Sequence, residues 1–234
     1  GAIDLDGLGA LTLSDVDTVN GAITASSAGA LTVTDVASVT NGNIVLSTSS
    51  GDITGLATVN AGSGNVTLNS AGAIVDDGSS GTVITGGVLT ADAAGGITID
   101  STVTSANIST SAAGAVDLDE TDAITLTDVD TNDGSITVDA GGLITATDVV
   151  ASGGSGDSVT LSTTTGGAVA TLVTGADAVS ITANAGDITI GSVTATAGTL
   201  GVTATAGSIN DAADDNTADF TAGGLITLTA QDEI

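Results

Sequence analysis

The chain has 234 residues, 28 of them Asp or Glu, and no Lys, Arg or His, so its formal charge is −28. Binding of nucleic acid or anionic lipid through phosphate neutralisation needs cations and is excluded, as are disulfides and metal sites built on Cys or His. Acidic chains poor in aromatics are often disordered, but this one is 41% hydrophobic and rich in strand-favouring Val, Ile and Thr, with no apolar run near the ~20 residues of a membrane span.

From Gly1 onward, short apolar pairs recur at spacings of mostly 20 to 23 residues. They are Ile3/Leu5, Ile23/Ala25, Ile44/Leu46, Val66/Leu68, Leu89/Ala91 and Ile108/Thr110. The series continues with Ile136/Val138, Val159/Leu161, Val179/Ile181, Leu200/Val202 and Ile226/Leu228. Six or seven residues into each repeat sits a glycine, such as Gly9, Gly29, Gly51 or Gly186. A second apolar strand follows it, as in Leu11/Leu13, Leu31/Val33, Ile97/Ile99, Val116/Leu118 and Ile188/Ile190. Segments such as ASVT and LATV supply a third.

Within each strand, apolar residues alternate with Thr, Ser or Asp, the mark of a sheet with one buried face. So short a strand cannot bury that face alone, but stacked at ~4.8 Å per rung it finds backbone partners above and below. The glycine suits the bend between faces, where a positive φ or a tight corner favours a residue without Cβ. The expectation is therefore an all-β chain, a parallel β-helix of about ten to eleven rungs of ~20–23 residues, ~50 Å long, filled by small aliphatics. Its hand is taken as right by analogy with other such solenoids.

A single repeat domain over 1–234 is expected, with longer corner loops near 119–134 and 210–224. Within the first, ITLT at Ile124 to Thr127 could instead be a displaced rung. Phe220, the only aromatic residue, lies in the second and is expected to pack into a side groove. No basic-then-apolar leader precedes Gly1, so the chain reads as mature material or a piece of something longer. Both ends stop in mid-pattern. Two expectations follow: the strands continue in the same longer chain, or subunits associate end to end, a heterologous contact that propagates as a filament.

The phrases GDITIGSVTATAG, GDITGLATVNAGSG and GSITVDAGGLITATDV resemble the repeats of filamentous-haemagglutinin-type exoproteins, and the resemblance covers essentially the whole chain. That family consists of large secreted or surface-attached bacterial adhesins with a right-handed β-helical shaft. The resemblance implies an extracellular or cell-surface location and a spacer or adhesive role, with a host or cell-surface glycan or protein as partner. The secretion domain at the amino terminus of such exoproteins is not seen in this sequence.

Parallel β-helices also carry polysaccharide-acting enzymes. Paired carboxylates could run glycoside hydrolysis, and Asp117, Asp119, Glu120 and Asp122 are locally dense. No aromatic platform or cation accompanies them, and a solvated acidic loop is the simpler reading, so no enzyme is expected. For calcium, DVDTNDG offers Asp128, Asp130, Asn132 and Asp133 at alternating spacing, with Asp139 further on. The glycine falls one place later than an EF-hand loop requires. The sister phrase DVDTVNG at Asp15 to Gly21 lets repeat drift explain both. GGSGDSVTL, with Asp157, resembles a calcium-binding nonapeptide once only. Diffuse cation screening of the acidic surface is the competing reading. Thr-x-Thr ladders of the ice-binding kind are completed in the first strand only at Thr227/Thr229, so an ordinary solvated β-face is favoured.

Overall fold

In the computed structural model, which describes residues 1–79, 81, 83–213 and 218–234, all regular structure is β-strand. The chain is a parallel β-solenoid with about ten turns in all. It divides into two compact units, Gly1–Leu118 and Asp119–Ile234.

In the first unit three sheet faces run in parallel register. The first face stacks Ile3, Ile23, Ile44, Val66, Leu89 and Ala106. The second stacks Leu11, Leu31, Ile53, Ile74 and Ile97. The third stacks Val16, Val36, Val59, Ile84 and Ser101. In the second unit the first-face file is Ile136, Val159, Val179, Leu200 and Ile226. The second-face file there is Ile124, Ile144, Ala168, Ile188 and Ile209, and the third is Val129, Val149, Val173, Val193 and Phe220.

Parallel sheets are usually covered on both sides and read as continuous apolar runs. Here one side faces the bore and the other faces water, which is why each strand alternates. Ile23, Ile44, Leu46, Val179 and Ile181 are buried, while Thr24, Asp139 and Ser180 turn outward. Each wholly buried aliphatic contributes about 1.5–3 kcal/mol relative to exposure. Because every rung presents the same small residues at the same height, the bore closes without a large side chain.

The corner between the first and second faces is held by inward hydroxyls. Ser70 Oγ donates to Ala73 O at 2.9 Å and accepts from Gly72 N at 3.2 Å. One rung earlier, Thr48 Oγ1 donates to Gly51 O at 2.8 Å and accepts from Ala71 N at 3.1 Å. Ser27 donates to Gly9 O at 2.6 Å, and Thr163 repeats the motif in the second unit. These hydroxyls pair the Gly72 and Ala71 amides, which the turning chain would otherwise leave without a partner, and add a second bond to Ala73 O and Gly9 O, which backbone amides already reach.

Glycine serves these corners in two ways. Gly51 has a φ of +87°, a left-handed conformation that disfavours side chains. At Gly29 the constraint is space, since a Cβ there would sit 2.8 Å from Ala10 N of the neighbouring rung.

The structure corrects the sequence expectation at two places. The repeat expected to open at Ile108/Thr110 is offset by two residues, with Ala106 opposite Leu89 and Ile108 opposite Ala91. The cause is a short rung: Ile97–Ala113 is one continuous strand that takes no extra residues at its corners. The supposed corner loop at 119–134 is mostly strand. Ile124–Asp133 aligns Ile124 with Ile144 and Val129 with Val149, so it supplies second and third faces, and ITLT is indeed part of a rung. In the other lengthened stretch, 210–224, strands Ile209–Asp211 and Phe220–Ala222 flank the corner. Residues 214–217 lie outside the described residues. Phe220 is half-buried and stacks on Val193 in the third-face file.

Candidate functional site

The five residues expected to bind calcium do not share a face. Asp128 and Asp130 flank inward Val129 on the third-face part of Ile124–Asp133, and exposed Asn132 and Asp133 end that strand. Asp139 is exposed on the first face, in Ile136–Ala140, opposite Ser162. Among the described residues no group of three or more carboxylates is arranged to hold a metal ion.

What the fold does bring together is Asp128, Asp130 and Asp148. The register Val129 to Val149 puts Asp148 beside Asp128 on the adjacent rung. Asp148 Oδ1 is buried and takes no hydrogen bond. The Asp130 carboxyl is pushed up to about 6: the residue is exposed overall, but loss of hydration around its carboxyl is the largest cause. The negative charges of Asp128 and Asp148, and a hydrogen bond with Asp128, add to it.

The first unit holds the same arrangement in Asp15, Asp17 and Asp35, with Val16 opposite Val36. There the Asp35 carboxyl is raised by partial burial and then by Asp17 and Asp15. Asp148 and Asp35 are missing from the expected site, yet the sequence carries their signal. The triplets Thr127-Asp128-Val129 and Thr147-Asp148-Val149 are 20 residues apart, one rung, so their carboxylates must stack.

Of the carboxylates weighed for hydrolysis, Asp117 and Asp119 are exposed on the outer side of Val116–Glu120, whereas Glu120 is buried. Asp122 N donates to Glu120 Oε1 at 3.4 Å. Asp157 is buried and accepts from Gly154 N at 2.6 Å, so its carboxylate closes its own glycine-rich turn.

A second polar constellation lies on the outer first face of the first unit. Asn69, Asp92 and Ser109 occupy one column on three successive rungs. Beside them opens a groove of about 360 Å³ whose wall also includes Ser70, Ala71 and Ala93. Ser109 Oγ donates to Asp92 Oδ1 at 2.6 Å, and Ser26 makes the same bond to Asp6 earlier in the column. A hydroxyl thus separates carboxylates that would repel if stacked directly.

Among the described residues no helix is long and apolar enough to cross a membrane. Comparison with known proteins gives no match to a family model, a curated protein or a solved structure.

Proposed function

We propose that the chain is a structural and adhesive segment of the β-helical shaft of a large secreted or cell-surface bacterial protein of the filamentous-haemagglutinin type. The observation that carries this reading is the uninterrupted parallel register of small aliphatic files in each unit. Such a stack gains length by adding rungs, each stabilised by its neighbours, which is what a spacer requires. The outer surface supports an exposed setting: its charged side chains are all acidic, and the chain offers no Lys or Arg to trypsin-like proteases. That combination supports a structural role outside the cell.

The test is antibody labelling. Antibodies raised against the 234-residue chain should stain intact cells of the source bacterium as strongly as permeabilised ones. Staining that requires permeabilisation would overturn the extracellular reading.

A further inference from the structure

We infer that the groove beside Asn69, Asp92 and Ser109 binds a neutral sugar residue through vicinal hydroxyls. This deepens the adhesive part of the reading above and rests on it only for its biological setting.

The geometry supplies a pre-positioned acceptor. Asp92 Oδ1 is fixed by the Ser109 hydroxyl at 2.6 Å, which orients the carboxylate, and its other oxygen takes no hydrogen bond from the described chain. The Asn69 side chain, one rung away in the same column, is likewise unengaged. By contrast, the Ser70 hydroxyl at the groove wall is committed to backbone atoms. The free groups are therefore a carboxylate oxygen, which accepts only, and an amide, which both donates and accepts. Side by side on adjacent rungs, they can accept from one sugar hydroxyl while bonding both ways with its neighbour.

The rest of the groove narrows the ligand class. Ala71 and Ala94, both reached by solvent, give a small apolar wall suited to the C–H side of a pyranose. The volume, about 360 Å³, is at the low end of small-molecule sites, enough for a terminal residue while the remainder of a glycan extends into solvent. An anionic glycan is disfavoured, because the chain has a formal charge of −28 and no cation to pair with it. Calcium is a poor occupant, since it takes six to eight oxygen ligands and Asp92 is the one carboxylate among the described residues lining the groove.

The experiment is a titration of the ¹⁵N-labelled 234-residue chain, followed by amide shifts. The probes are neutral trisaccharides of glucose, galactose and mannose, with sialyllactose as the acidic control. Saturable shifts centred on residues 69–71, 92–94 and 109–111, from at least one neutral probe and not from sialyllactose, are expected. Asp92→Ala and Asn69→Ala should each weaken that binding by about tenfold. Ser109→Ala should weaken it less, because it frees the carboxylate without removing it. Asn69 and Asp92 are exposed, so these variants keep the fold, and unchanged shifts at the Ile53 and Ile74 amides verify it. The inference is overturned by no saturable shift with any neutral probe, by shifts elsewhere, by equal binding of sialyllactose, by binding that requires added Ca²⁺, or by unaltered affinity in Asp92→Ala. None of these outcomes bears on where the protein resides, so the shaft reading stands or falls separately.

Discussion

Ser109 reaches Asp92 across 17 residues of chain, with its hydroxyl 2.6 Å from Asp92 Oδ1, where the preceding rungs of the same column span 20 to 23. The pair marks the short rung and fixes which residues of Ile97–Ala113 point inward. In this register Ala106 is fully buried opposite Leu89 and Thr104 is exposed. Ala106→Asp should therefore place an unpaired charge in the bore and destabilise the first unit by several kcal/mol, on the order of 3 or more. Thr104→Asp should stay within about 0.5 kcal/mol. Urea unfolding of the two variants makes the comparison, and similar midpoints would refute the two-residue offset.

The aliphatic files should behave as one continuous core. Ile44 is wholly buried between Ile23 and Val66, so Ile44→Ala removes methylenes from a site with rungs on both sides. A loss of about 2–5 kcal/mol is expected, against about 0.5 kcal/mol or less for outward Ser47→Ala. Denaturant midpoints at constant slope give the measurement.

Much of this was legible in the sequence, because period-two alternation inside a ~20-residue repeat admits few folds. The files through Ile23, Ile44 and Val66 are where the spacing puts them. The reading slipped where composition misled. The acidic phrase after Asp119 resembles a solvated loop, but Ile124 and Val129 carry enough apolar pattern to hold two faces of a rung. The deletion before Ala106 left no local mark, because Ser and Thr suit either side of a strand. The acidic stack was hidden for a related reason. Spacing along the chain groups Asp128 with Asp130, Asn132 and Asp133 but overlooks Asp148, which the register stacks beside Asp128 one turn away.

The inward hydroxyls at the corners were also hidden, since Ser27, Thr48 and Ser70 look like ordinary polar strand ends. Their buried bonds give them a measurable role. Ser70→Ala would leave the Gly72 amide without its partner, while the Ala73 carbonyl keeps its bond from the Ile53 amide. The expected cost is about 1–3 kcal/mol, larger than for Ser26→Ala on the outside of the same column set. Hydrogen exchange at the Gly72 amide should accelerate in the Ser70 variant. Unchanged protection would mean that the hydroxyl is dispensable.

Asp130 links the acidic stack to pH. Its folded carboxyl is raised to about 6, from an ordinary value of 3.8. The folded state therefore holds this proton more tightly than the unfolded chain does. Between roughly pH 4 and 6 the unfolded state has released the proton and the folded state has not, so stability falls as pH rises through that window. Above about pH 6 the penalty is fully present, because the ionised carboxylate then faces Asp128 and Asp148 with reduced hydration. Asp130→Asn should flatten the decline and raise stability at pH 7, while Asp232→Asn, a substitution at an exposed residue that also removes one charge, should leave the slope in place. Salt separates this effect from general self-repulsion: screening relieves the long-range part but not the loss of hydration around Asp130. A pH slope between 4 and 6 that vanishes in high salt, or is identical in Asp130→Asn, would show that the stack does not govern it.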